Sequence, residues 1–483
     1  MKKLNFIIKC GLALLLLSFY SCESWLNVTP SDRLSEEMLF NDREGFVKAL
    51  NGVYIELNTN ELYGRNLTAG ALDVMGQYYS VASSSHAFYN YGGLVYTGND
   101  EKALFDNMWQ KCYAVIACCN TIIEKCDENK AGLSPVWRGS IKGEALALRA
   151  MLHFDMLRLF GPLTSELDKE SIPYQTNSDQ TVTPLLSGSE VGLILDDLKN
   201  AVGLLKDTDP YFVEEEFSDT DLNYRRFRMN YFAAKGLMAR VQLWGGDKEK
   251  AAATAKEVIA EGQAEGAEFF PFVTNSEATS SNPDRVFYSE VLFGTYHSSR
   301  EKLHEDLFAP TLESTSILTL AGTARRDDLY DNENDYRYSV WSTYNKNGTS
   351  VLYHRKFEKQ DNVTASRQYM IPLIRMSEMY LIAVECCKLD EASVYLNTFR
   401  NARNCNSLAL TEDNRINILA NEYKKEMLGE GQLFFFYKRQ EMVNIPDGNQ
   451  ATGTKNVELA KYVVPLPESE TDQRISSTDI SNE

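Results

Sequence analysis

Two stretches of the chain, 231–262 and 375–403, share one design: an apolar helical pattern, a short break, then a second helical pattern. Tyr231 to Trp244 carries Ala233, Ala234 and Ala239 at positions where another helix can cross closely. Gly245-Gly246-Asp247 turns the chain, and Ala251, Ala255, Val258 and Ile259 follow at helical spacing before Gly262. Arg375 to Cys387, with Asp390 as the expected cap of Leu396 to Arg403, repeats the arrangement. That period puts apolar side chains on one stripe of a helix but would scatter them over both faces of a strand, so it predicts helical hairpins.

The same period recurs elsewhere. Asn41 with Glu44 reads as a capping box ahead of Phe46, Val47, Leu50, Val53, Tyr54 and Leu57. Further helices are expected over 101–126, over 141–160 up to Gly161-Pro162, from the Ser187-x-x-Glu190 box through Leu205, and over 414–428 before an irregular tail. The predicted fold is mainly α, a tetratricopeptide-like scaffold of stacked helical hairpins. Two long irregular insertions interrupt it, at about 58–100 and 263–369, and both are rich in aromatic residues. Connections of that length are functional or disordered, and so much aromatic surface argues for order.

The N-terminus reads as an address rather than as part of the fold. Lys2 and Lys3, the apolar run Leu4 to Leu17 and Ser18-Phe19-Tyr20-Ser21-Cys22 form a secretory leader of lipoprotein type. The expected organisation is a leader over 1–21, a lipid anchor at Cys22 with an extended tether over 22–40, and one domain over 41–483. The run is short for a membrane span, so lipid on the Cys22 thiol would hold the mature chain. A net charge of −19, made more negative by losing Lys2, Lys3 and Lys9 with the leader, argues against nucleic acid and anionic polymers as partners. A neutral glycan would feel little of that field. Cys112, Cys119 and Cys126 recur every seventh residue on one helical face and read as small core residues, as do the vicinal pairs Cys118-Cys119 and Cys386-Cys387. A disulfide involving Cys405 stays open.

The insertions carry the candidate ligand chemistry. A pyranose ring presents C–H faces that stack on an indole or phenol, while its hydroxyls need amides and carboxylates at the rim. Trp341 with Tyr344 and Asn345, and Tyr78-Tyr79 with Tyr89-Asn90-Tyr91, have that composition. The same rings could instead pin the insertions to the scaffold. No Gly-x-Ser-x-Gly, His-Glu-x-x-His or phosphate-cradling loop occurs, and the histidines are scattered, so no catalytic residue or cofactor is assigned. A carboxylate pair for glycoside hydrolysis stays open. Asp327, Asp328 and Asp331, or Asp219 with Asp221, offer carboxylates to calcium but lack the EF-hand spacing, and a solvated acidic loop explains them better.

Several segments together resemble the SusD/RagB family of outer-membrane nutrient-binding lipoproteins. They begin with Ser21-Cys22-Glu23-Ser24-Trp25-Leu26-Asn27, then Trp109 with Tyr113, Ile116 and Asn120. Gly143-Glu144-Ala145-Leu146-Ala147-Leu148-Arg149-Ala150, Phe160-Gly161-Pro162-Leu163 and the stretch Ala233 to Val241 follow. Met376 to Glu385, Leu396 to Arg403 and the closing Val464-Pro465-Leu466-Pro467 complete the series in the family's order. Where many members have Glu-Arg, Glu-Leu and Glu-Gly-x-Arg, this chain has Glu422-Tyr423, Glu426-Met427 and Glu430-Gly431-Gln432, so two arginines are replaced. The resemblance implies a cell-surface lipoprotein that captures oligosaccharide or polysaccharide beneath a lid over a SusC-like TonB-dependent transporter, without bond cleavage. A secreted helical glycosidase and a transporter lid for peptide or another nutrient are the alternatives.

Overall fold

The computed structural model describes residues 36–179, 182–213, 216–218, 224–266, 268–472 and 474. The leader, Cys22, most of the tether, Asp219 and Asp221 lie outside the described residues. The apolar stripes form α1 (Arg43–Leu57), α2 (Asn99–Glu128), α3 (Pro135–Phe160), α4 (Glu190–Thr208), α5 (Tyr231–Trp244) and α6 (Lys248–Gly262). After the second insertion come α7 (Met376–Cys386), α8 (Leu389–Ala402), α9 (Glu412–Glu426) and α10 (Gln432–Arg439). From α2 to α8 each helix packs on the next in chain order, a neighbour-to-neighbour stacking that fits a hairpin array. The protein is mainly α.

α3 is the axis of the core. From Ile141 to Phe160 every residue except Lys142 is buried. A Cβ on Gly143 would lie 2.8 Å from Leu205, so this glycine is what lets α4 come close. The buried charges of α3 are matched inside the protein: Arg149 donates to Asp197 through Nε and Nη2, both at 2.7 Å. Glu144 accepts from the Tyr54 hydroxyl at 2.6 Å and from Arg228 Nε at 2.9 Å.

Helix starts differ from expectation where a side chain has another task. The α1 cap is Asp42, accepting from Gly45 N at 2.9 Å, rather than Asn41. Ser187 pairs with Glu170 in a short antiparallel strand pair, so α4 starts after Ser189 without a side-chain cap. Asp390 sits in the first turn of α8, whose cap position is Lys388. The tail after 428 is not irregular throughout, because α10 forms there. Leu433-Phe434-Phe435-Phe436-Tyr437 is apolar all round and buried all round, so it shows no stripe.

The insertions are structured. Within 58–100, Leu72, Val74 and Met75 of the short helix Ala71–Met75 are fully buried. Asp73 there accepts from Gly429 N at 2.6 Å and Gly431 N at 2.9 Å, tying this segment to the start of α10. Burial pushes the Asp73 carboxyl up to about 7 against the pull of those amides. The second insertion holds β1 (Val291–Tyr296), β2 (Trp341–Lys346) and β3 (Thr349–His354), followed by β4 (Met370–Arg375). β1 pairs antiparallel with β4, and β2 with β3. β4 is buried throughout and β1 nearly so, which removes the alternation that would mark them as strands. Cys112, Cys119 and Cys126 are buried on α2, and all seven described cysteines, Cys405 included, are free.

α9 ends in a buried ion network. Glu426 accepts from Arg403 at 2.7 and 3.0 Å and from Arg337 at 3.1 Å, and also pairs with Arg375. Arg403 reaches Glu290 at 2.6 and 2.8 Å, and Arg375 reaches Glu430 at 3.0 Å. Glu422 pairs with Arg337 and Lys425, each at 2.9 Å, and with Arg400. The two positions where that pattern has arginine, 423 and 433, take apolar packing here: Leu433 is buried, and Tyr423 stacks on Phe436 with ring centroids 4.5 Å apart.

Removing one partner of such a network strands the others. Glu426→Gln is expected to cost about 3–5 kcal/mol, read as a lower urea midpoint with unchanged slope. Acid acts through the same groups. Burial alone would raise both carboxyls, but Arg403 and Arg375 hold Glu426, and Arg337, Lys425 and Arg400 hold Glu422, below the usual carboxylate range. The unfolded chain then takes up protons first, so stability holds above an unfolded pKa of about 4.3 and falls as pH drops through the lower folded values. Urea midpoints taken from about pH 7 to about pH 3 should show that fall in the native protein and a shallower one in Glu426→Gln.

Candidate functional site

The structure divides the candidate aromatics into buried and presented rings. Trp341 is 5% exposed and packs on His354 with centroids 5.2 Å apart. Tyr78 donates to Tyr423 O at 3.3 Å and Tyr79 to Asp73 at 3.2 Å, both buried, while Tyr91 is enclosed by Phe88 and Phe105. These four rings anchor their segments and offer no face to a ligand, which corrects their reading as platforms. Tyr344 and Tyr89 are 45% and 44% exposed, and Asn90 is half-buried. Asn345 is exposed, but its Oδ1 accepts from Gly348 N at 2.7 Å and so closes the hairpin turn. Asn347 and Gly348 both have positive φ there, the backbone of a tight two-residue hairpin loop.

Far apart in sequence, the two candidate clusters are brought together by a third segment. Ser80 N donates to Thr319 O at 2.8 Å and Ala87 N to Thr315 O at 3.1 Å. On the other side Thr319 Oγ1 donates to Leu352 O of β3 at 2.6 Å. Residues 315–319 therefore bridge the 80–91 segment and the β2–β3 hairpin. His86 fastens the junction: Nε2 donates to Ile317 O at 3.2 Å, and Nδ1 accepts from Phe88 N at 3.1 Å. Burial lowers its pKa, which favours the neutral ring that this pairing needs. Lys346 holds the hairpin to 311–313 through Thr311 O at 3.1 Å, Leu312 O at 2.9 Å and the Glu313 carboxylate at 3.0 Å.

The joined segments carry one exposed tyrosine from each cluster, and Ser83, Ser84, Ser85, Glu313 and Ser314 are exposed on them as well. Phenol faces with hydroxyl and carboxylate groups around them can stack on a sugar ring and bond its hydroxyls. Sequence reasoning missed the serine run and the 311–319 bridge, because neither has a period or a motif; the run of three serines beside aromatic residues was the available signal. The acidic cluster does not gather. Asp327 pairs with Arg326 at 2.8 Å, Asp328 is exposed, and Asp331 is held by Arg400 and Lys425, each at 2.7 Å. Those two cations occupy the Asp331 carboxylate, which corrects its reading as a calcium ligand. Among the described residues no group of three His, Cys, Asp or Glu side chains is placed to hold a metal ion. A separate cavity of about 520 Å³ lies where Tyr96, Lys102 and Asp106 meet the Pro465-Leu466-Pro467 strap.

Residues 24–243 match a SusD-like family described as starch-binding and associating with the outer membrane, and residues 282–475 match the SusD family. SusD-like protein P2 of Formosa agariphila is 23% identical over 96% of each chain. A SusD-like carbohydrate binding protein from Bacteroides vulgatus superposes with a TM-score of 0.69 at 20% identity, covering 89% of this chain and 96% of that one. A laminarin binding SusD-like protein superposes with a TM-score of 0.64 at 17% identity, covering 89% and 97%. The superpositions establish the fold. Among the described residues no helix is long and apolar enough to cross a membrane.

Anchoring and presented rings separate by stability. Trp341→Ala should cost about 3–5 kcal/mol, as removal of a buried indole does, whereas Tyr344→Ala should stay within about 0.5 kcal/mol of the native protein in urea unfolding.

Proposed function

The chain belongs to the SusD/RagB family, and on that premise we propose that it is a surface lipoprotein that binds glycan and passes it to a SusC-like TonB-dependent transporter in the outer membrane. Attachment is through Cys22, on the cell exterior. Capture is non-catalytic: the glycan lies across the face that carries Tyr89 and Tyr344 and leaves uncleaved.

One observation carries this reading, namely that two exposed phenols and several exposed hydroxyls stand on distant segments that backbone and side-chain bonds join to one another. Sugar recognition benefits from that arrangement, because rings already held in place lose little freedom on binding. The net charge of −19 supports a neutral rather than an anionic glycan. Laminarin, bound by one structural relative, and starch, in the description of the matching family, are the first probes to try.

Affinity electrophoresis of the whole chain in detergent, through gels containing laminarin or starch, tests the proposal. The native protein should be retarded, and Tyr89→Ala with Tyr344→Ala should weaken binding about 10- to 100-fold, the loss of one or two stacking contacts, at an unchanged melting temperature. Retardation untouched by the double variant would move the ligand elsewhere on the molecule. Release of reducing ends during the run would favour the glycosidase, and indifference to every polymer would favour peptide capture.

A further inference from the structure

A second cleft of about 420 Å³ opens between the C-terminal half of α1, the turn at 224–228 and the end of β1, and it is lined by none of the residues of the face described above. That volume is in the range of small-ligand sites. Its wall is an aromatic corner: Tyr224, 40% exposed, meets Tyr296 at 72° with centroids 6.2 Å apart. Tyr296 is wedged between Phe227 and Tyr369, each 5.2 Å away, so its ring is fixed before any ligand arrives.

Among the described residues Arg228 is the only charged one that lines the cleft; it lies over the Tyr54 ring at 4.3 Å, and its Nε donates to Glu144 at 2.9 Å, so its charge is met inside the protein. Two oxygens lack partners here. Thr295, 2% exposed, has a hydroxyl with no hydrogen bond, and Asn58 Oδ1 has none although its amide donates to Tyr54 O at 2.9 Å. A buried hydroxyl without a partner is unfavourable unless something supplies one.

We propose that this cleft is a second carbohydrate subsite, which takes the end of a neutral oligosaccharide: a pyranose ring stacks on Tyr224 against Tyr296, and its hydroxyls bond Thr295 Oγ1 and Asn58 Oδ1, which are closed to solvent in this structure and turn toward the sugar as it enters. The Arg228 charge is already met by Glu144, and rings beside unpaired oxygens match a sugar better than an aliphatic chain. This inference rests on the glycan-binding reading above and extends it to a two-site molecule, able to grip one polymer at two places and gain avidity.

Isothermal titration calorimetry of the whole chain in detergent, with laminarihexaose and with maltohexaose, decides it. Two binding events are expected, one abolished by Tyr344→Ala and the other weakened at least about tenfold by Tyr224→Ala and by Thr295→Val. Thr295→Val also controls for folding, because removing a partnerless hydroxyl should leave the unfolding midpoint unchanged or raised. A single event, lost in Tyr344→Ala and untouched by Tyr224→Ala, would overturn the second subsite and leave the first reading standing. A single event lost only in Tyr224→Ala and Thr295→Val would support the subsite and remove the ligand from the Tyr89–Tyr344 face. No heat from either sugar would overturn both.

Discussion

The carboxylate of Glu426 is the point on which the C-terminal half closes. It receives Arg375 from the end of β4, Arg403 from the end of α8 and Arg337 from the segment entering β2. Each arginine binds a second carboxylate as well: Glu430, Glu290 and Asp335 respectively. All these side chains are almost fully buried. Such a cluster adds little net stability over a well-packed apolar core, since desolvation offsets most of the Coulomb gain. Its effect is on uniqueness. Any packing that separates α9 from β4, α8 or the second insertion leaves a charge buried without a counter-ion, and that arrangement is excluded by several kcal/mol. The network therefore sets how the insertion sits on the scaffold. Through Arg337, four residues before Trp341, it fixes the base of the hairpin that presents Tyr344.

How much of this was legible in the sequence follows from what each residue's burial depends on. α5 runs from Tyr231 to Trp244 as its stripe predicts, because a surface helix displays its own period. α10 was invisible, because a helix buried on all sides has no stripe. The tyrosines of 58–100 show a different limit. Tyr78 and Tyr79 stand in a polar stretch and look presented, yet their burial is decided by Asp73, Tyr423 and Phe308, residues up to several hundred positions away. Trp341 likewise owes its burial to His354 across the hairpin. Local composition locates where aromatic chemistry is concentrated, and long-range contacts decide which ring faces outward.

The spaced glutamates Glu422, Glu426 and Glu430 carry the family pattern with two arginines missing, and their structural meaning lies in the partners. Leu433, where the pattern has arginine, is buried, while the neighbouring Gln432 accepts from Arg158 of α3, whose guanidinium lies 3.9 Å from the Phe435 ring centroid. The positive charge at this point comes from α3. The departure thus bears on how α10 meets α3 and leaves the face proposed to bind glycan, built from other segments, untouched.

That face depends on a joint with a specific proton arrangement. His86 accepts from Phe88 N through Nδ1 and donates to Ile317 O through Nε2, so one ring satisfies a donor in the first insertion and an acceptor in the second. Only the neutral imidazole with its proton on Nε2 can do both. Protonation would put an N–H on Nδ1 against the N–H of Phe88 and break the local turn, although the bond to Ile317 would survive. Burial, by lowering the histidine pKa, keeps the ring in the required form at neutral pH. With Ser80–Thr319 and Ala87–Thr315 bonded on either side of it, the joint holds the segments that carry Tyr89 and Tyr344 together through contacts that no ligand has to supply.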